Sequence, residues 1–87
     1  MAKLNGPLRV LAYLLEVNEP VTLLKISQEA KINYRTVRNA IKTLKELGFV
    51  EETIESGPPV RRLVRLTEKG RKAAYHAKKL LELAGVI

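Results

Sequence analysis

Apolar residues recur at helical spacing over four stretches of this chain, and two β-prone stretches lie between the third and the fourth. Leu8, Leu11, Leu14 and Leu15 predict a first helix from about Pro7, whose fixed φ suits an opening turn, to about Val17, where Asn18-Glu19-Pro20 ends it. Val10, Ala12 and Tyr13 make that helix apolar on more than one side, so it must be covered on both flanks. Val21 reads as a very short strand. Thr22 then caps a second helix over Leu23 to Ala30, with Leu23, Leu24, Ile26 and Ala30 directed inward. After the turn Lys31-Ile32-Asn33, Asn33 caps a third helix from Tyr34 to Leu47. Its stripe is Val37, Ala40, Ile41 and Leu44, and its stop is Gly48.

Phe49 to Glu55 and Val60 to Leu66 read as strands joined through a rigid Ser56-Gly57-Pro58-Pro59 tip. Thr67 caps a last helix running from Glu68 to about Ala84. It carries Gly70, Ala73, Ala74, Ala77, Leu80, Leu81 and Ala84 on one side, an Ala-rich seam that suits a close helical neighbour. The expected fold is mainly α with a small β-hairpin, in the order α-(β)-α-α-β-β-α. No repeat or linker divides the chain, so residues 1–87 form one domain, with 68–87 its terminal helix.

Leu, Ile, Val and Phe make up 28 of 87 residues, enough for a packed interior. A chain of this size gains only a thin stability margin from its core, and with no cysteine there is no disulfide to add to it. A partner subunit is a reasonable source of further burial. The longest strictly apolar run, Val10 to Leu15, is too short for a bilayer, and the start lacks a secretory layout, so the expectation is a cytoplasmic protein. The absence of Cys and Asp and the single Gln hint at a hot habitat.

Sixteen Lys plus Arg against nine Glu give a net charge of +7, which attracts polyanions. The excess is localised in two blocks. Lys31, Arg35, Arg38, Lys42 and Lys45 face only Glu46, and Arg61, Arg62, Arg65, Lys69, Arg71 and Lys72 face only Glu68; Glu51, Glu52 and Glu55 lie between the blocks. At about 100° per residue, the side of the third helix opposite its apolar stripe carries Arg35, Arg38, Asn39 and Lys42, with Thr36 and Thr43 at a margin. A short helix, a three-residue turn and a second helix with this outward face is a helix-turn-helix arrangement. Arg pairs two donors with guanine O6 and N7, Asn bridges adenine N6 and N7, and Lys or Thr holds phosphate. Tyr34, at the helix start, can contact backbone or a thymine methyl.

The run from Asn33 to Val50, with its Leu47-Gly48-Phe49-Val50 exit, and the Leu66-Thr67-Glu68-Lys69-Gly70 motif together resemble the winged helix-turn-helix regulators of archaea and bacteria, the MarR-like and ArsR-like families. The resemblance spans roughly residues 7 to 75. It implies that Arg35, Thr36, Arg38, Asn39 and Lys42 contact bases and phosphates and that Arg61 and Arg62 lie on the wing near the flanking minor groove. The chain departs from MarR-like proteins in having Gly57-Pro58-Pro59 at the tip in place of an Asp-containing one, and in its shorter length.

The resulting expectation is a homodimeric DNA-binding regulator. Helix 34–47 enters the major groove, the 56–62 wing lies on the flank, and the first and last helices form the dimer interface. A protein- or RNA-interaction module and a nonspecific architectural DNA-binding protein are the rival readings. Two readings stand for Arg61, Arg62 and Arg65: phosphate contact, or pairing with the glutamates across the hairpin. Lys69, Arg71 and Lys72 read as general electrostatic support, and Tyr13 and Tyr75 as packing or interface residues. No Gly-rich phosphate loop, nucleophile–base pair or metal-ligand cluster is present in the sequence, so no catalytic residue, metal or cofactor is expected. His76, the lone histidine, is assigned no role.

Overall fold

A computed structural model, which describes residues 2–85, has six elements: α1 (Ala2–Val17), α2 (Leu23–Ala30), α3 (Tyr34–Glu46), β1 (Val50–Glu55), β2 (Arg61–Leu66) and α4 (Glu68–Leu83). The expected element order is therefore observed. Met1 and residues 86–87, the first residue of the expected domain and the end of its 68–87 segment, lie outside the described residues.

The strands form an antiparallel hairpin in the register Val50↔Leu66 to Glu55↔Arg61. Val21 joins it through a single bridge to Val64, with N···O distances of 3.0 and 2.7 Å in the two directions. This bridge ties the α1–α2 connection to the base of the wing.

Each expected cap is made by the expected side chain. Thr22 accepts from the Lys25 amide at 3.1 Å, Asn33 from Arg35 at 2.9 Å and Thr67 from Gly70 at 2.9 Å. Thr67 also donates to the Gly48 carbonyl at 2.7 Å, so one hydroxyl joins the exit of α3 to the entry of α4. Thr67→Ala is expected to lower stability by about 1–2 kcal/mol, read as a fall in the urea midpoint with an unchanged slope.

The turn between α2 and α3 is closed twice over. The Ile32 amide donates to Ser27 O at 3.1 Å, and the Ser27 hydroxyl donates to Ile32 O at 2.6 Å. Ile32 is thereby buried, and Lys31 takes the left-handed conformation at φ 56°. Arg9 of α1 donates to the Ala30 carbonyl at 2.7 Å, anchoring the last turn of α2. These bonds fix the angle at which α3 leaves α2.

Tyr13 adds a second tie, its hydroxyl donating to Glu29. Burial first, then the hydrogen bond and negative charge of Glu29, push the phenol above its ordinary value near 10. The folded state therefore holds this proton more tightly than the unfolded chain. The contribution is complete below about pH 10 and is lost as pH rises from there. Stability against pH should bend downward in that range, and Tyr13→Phe should flatten this part of the curve.

The core draws Val10, Leu11 and Leu14 from α1, Ile26 from α2, Val37, Ile41 and Leu44 from α3, Val50 and Val64 from the hairpin, and Ala74 and Ala77 from α4. α1 packs against both α3 and α4. The seam of α4 is consequently occupied within the molecule.

Three expectations are corrected in detail. α1 begins at Ala2, and Pro7 lies inside it. Five helical residues precede Pro7, and the last of them, Gly6, is buried beside Thr36 of α3. Leu24 is exposed, because residues 23 and 24 are about 100° apart and Ile26 takes the inward direction. By the same geometry the buried line of α4 is Gly70, Ala74, Ala77 and Leu81, leaving Leu80 and Ala84 outside.

Candidate nucleic-acid interface

Asn33 starts α3 at the end of a rigid turn, and the buried stripe Val37, Ala40, Ile41 and Leu44 fixes the helix's rotation. Arg35, Arg38, Asn39 and Lys42 are then necessarily turned to solvent, and all four are exposed. None of the three cations makes an ion pair among the described residues. Tyr34 is exposed at the first turn. Thr36 is also solvent-exposed but stands at the margin against α1, where a Cβ on Gly6 would come within 3.0 Å of its methyl. Its side chain therefore has a packing neighbour that the sequence did not reveal.

On the other flank, a groove of about 440 Å³ separates α3 from the hairpin. Arg38, Asn39, Lys42 and Lys45 line it from α3, Leu23 from α2 and Glu52 from β1. Lys45 donates to Glu52 at 2.6 Å across this groove, holding the wing beside the helix.

Strand alternation divides the wing's charges between two faces. On one face Glu51 stands opposite Arg65 and Glu55 opposite Arg61. Both pairs are formed: Arg65 reaches Glu51 at 3.1 Å, and Arg61 binds Glu55. On the other face the pairs are Val50–Leu66, Glu52–Val64 and Ile54–Arg62. Glu52 is taken by Lys45, so Arg62 has no ion-pair partner among the described residues. The alternatives left open for the wing arginines thus separate: Arg61 and Arg65 are paired with glutamates, and Arg62 is exposed and unpaired. Such exposed pairs contribute at most about 1 kcal/mol each, so they direct side chains more than they stabilise the fold.

Two cations in the rest of the second basic block are also engaged. Lys69 donates to the Leu47 carbonyl at 3.0 Å and lies over the Phe49 ring, closing the end of α3. Arg71 donates to Asn18 Oδ1 at 2.7 Å, which holds the end of α1 to α4. These two side chains have specific structural partners, which general electrostatic support does not describe. Their partners lie 22 and 53 residues away in the chain, so no local pattern signals them.

His76 is exposed and meets the Tyr75 ring edge-on. Among the described residues no group of three or more His, Cys, Asp or Glu side chains is placed to hold a metal ion. No helix among them is long and apolar enough to cross a membrane.

Comparison with solved structures places this architecture beside bacterial winged-helix proteins. ZitR from Lactococcus lactis, a double mutant in apo form, superposes with a TM-score of 0.72 at 26% identity over 97% of this chain and 65% of its own. A MarR family regulator from Neisseria meningitidis gives 0.66 at 26% identity, over 90% of this chain and 56% of its own. Diamide-treated YodB from Bacillus subtilis gives 0.69 at 21% identity, over 87% and 75%, a likeness of fold alone. The chain thus spans less than two thirds of the length of two of these three relatives. Comparison with curated proteins gave no match. A family model described as an HTH domain matches residues 8–58, more than half of the chain and all of α2, the turn, α3 and β1, and the chain therefore belongs to that HTH-domain family with the fold of the winged helix-turn-helix regulators.

Proposed function

We propose that this protein is a DNA-binding transcriptional regulator that places α3 in the major groove and the hairpin on the flanking backbone or minor groove. The observation that carries this reading is the outward side of α3, where Arg35, Arg38, Asn39 and Lys42 are exposed together and none of the three cations forms an ion pair among the described residues. Arg38, Asn39 and Arg35 supply base-edge donors and acceptors, while Lys42, Tyr34 and the Thr36 hydroxyl serve the phosphates at the margins. Arg62 is the wing's contact, and Arg61 stays with Glu55 on the face turned away. The similarity to a MarR family regulator supports the same reading.

The working unit is a homodimer on a palindromic site, its two α3 helices entering successive major grooves about 34 Å apart. The buried line of α4 is spent within the monomer, so the interface uses what α4 leaves outside, Leu80 and Leu83, which are 53% and 86% exposed. Sedimentation at micromolar concentration should give a dimer, and Leu80→Glu with Leu83→Glu a folded monomer. A wild-type monomer would remove the interface.

Selection of duplexes from a random pool, followed by titration against salt, tests the function. A selected duplex should bind about a thousandfold or more tighter than random sequence. Its log affinity should fall with log salt at about 0.9 per phosphate contacted. A flat salt dependence, or preference for structured RNA over excess duplex, would overturn the reading in favour of an interaction module. Equal affinity for random and selected duplexes would make it an architectural protein.

A further inference from the structure

The outward side of α4 divides into two sectors. Leu80 lies about 140° around the helix from Tyr75, and Leu83 stands about two turns beyond Tyr75 along the axis. Dimerisation through the two leucines therefore leaves Tyr75 and its surroundings open. Tyr75 is 55% exposed, an aromatic ring with no place in the core. Lys72 precedes it by three residues, Lys78 and Lys79 follow it by three and four, and all three lysines are exposed. The Lys79 ammonium lies 5.7 Å from the ring centroid. None of these lysines makes an ion pair among the described residues. Tyr75, Lys78, Lys79 and Glu82 line a cleft of about 170 Å³, with Glu82 its acidic member. An exposed ring is thus flanked by free cations one turn to either side.

We propose that this sector of α4 docks an acidic amphipathic polypeptide segment, with an aliphatic side chain against Tyr75 and carboxylates one turn to either side on Lys72 and Lys79. The inference does not depend on the DNA-binding reading: α4 packs against α1, which in turn packs against α3, so the sector is a different part of the surface from Arg35 and Arg38. Aromatic rings are enriched at protein interfaces because they give large apolar contact at small entropic cost, and the lysines supply the charged rim that steers an acidic partner. Lys72 and Lys79 are seven residues apart, about 10.5 Å along the axis and nearly in one line, a spacing that carboxylates on a second helix match. Glu82 favours a polypeptide over a phosphate surface. It repels phosphates that enter the cleft, whereas a polypeptide brings N–H and hydroxyl donors that its carboxylate accepts.

The probe is a capped, fluorescent, alanine-based peptide with one leucine and with glutamates three residues before it and four after it, titrated with the full chain and read by anisotropy. Its comparison peptide has the same composition, with the leucine moved to the opposite side of the helix. Wild type should bind the first about fivefold or more tightly than the second. Tyr75→Ala should remove that difference. Lys72→Glu with Lys79→Glu should weaken both peptides about tenfold or more, and thermal stability should hold in each variant because the changed side chains are exposed. Arg35→Ala with Arg38→Ala should bind as wild type does. Equal wild-type affinity for the two peptides, or a difference that survives Tyr75→Ala, would overturn the inference. So would peptide binding that is lost with Arg35 and Arg38, or vesicles of phosphatidylserine and phosphatidylcholine that bind through Lys72, Tyr75 and Lys79 while the peptide does not.

Discussion

Replacing Arg35 and Arg38 together with alanine should weaken binding to a selected duplex by about a hundredfold or more while leaving thermal stability nearly unchanged. A bidentate Arg–guanine contact discriminates by about 1–3 kcal/mol, so the loss of two is a factor of this size. Random duplex should lose less, because Lys42 and Arg62 still attract phosphates. The ratio of selected to random affinity is therefore the quantity that collapses. Stability should hold because both side chains are exposed and alanine favours the helix. The cap at this end uses the Arg35 backbone amide, which alanine keeps. Lysine at both positions separates charge from geometry: it restores attraction to random duplex but not the forked pairing.

The second large effect concerns the fold. A Cβ at Gly70 would stand 1.7 Å from the Phe49 carbonyl oxygen and 2.6 Å from its carbon, an overlap with backbone that no rotamer change relieves. Phe49 cannot easily retreat. Its amide donates to Leu44 O at 2.9 Å, and its carbonyl accepts from the Thr67 amide at 3.0 Å. Gly70→Ala must therefore push α4 away from the exit of α3, at a cost of about 3 kcal/mol or more. For a domain of this size that is a fall in Tm of about 12 °C or more. Calorimetry checks it. The α3 exit and the wing base share this contact, so surviving folded protein should also bind duplex more weakly. A Gly70→Ala variant as stable as wild type would mean that α4 meets Phe49 less closely than described.

Much of this architecture is legible in the sequence because the signals are local. Thr22, Asn33 and Thr67 cap as expected, since a cap is one side chain bonded to an amide two or three residues away. The stripe on α3 is equally plain, and with it the direction of Arg35, Arg38 and Lys42. The start of α1 is not legible, because Pro7 is a strong local start signal, whereas the helix already runs from Ala2 and Gly6 is buried beside Thr36. The assignment of wing charges is half legible. Alternation puts Glu51 and Glu55 on one face and Glu52 on the other, but only the observed register decides that Arg61 and Arg65 meet the first two. That Glu52 goes to Lys45 depends on how the hairpin packs beside α3. Lys69 and Arg71 belong to the same class, since their partners are distant in sequence.

The central claim is that the outward side of α3 is the surface that meets duplex, and amide chemical shifts of isotope-labelled protein titrated with a selected duplex test it most directly. Saturating changes should concentrate on residues 34–46 and around Arg62, with the outer side of α4 near Lys72 and Lys79 little altered. Changes confined to α4, with residues 34–46 unmoved at saturation, would contradict the account.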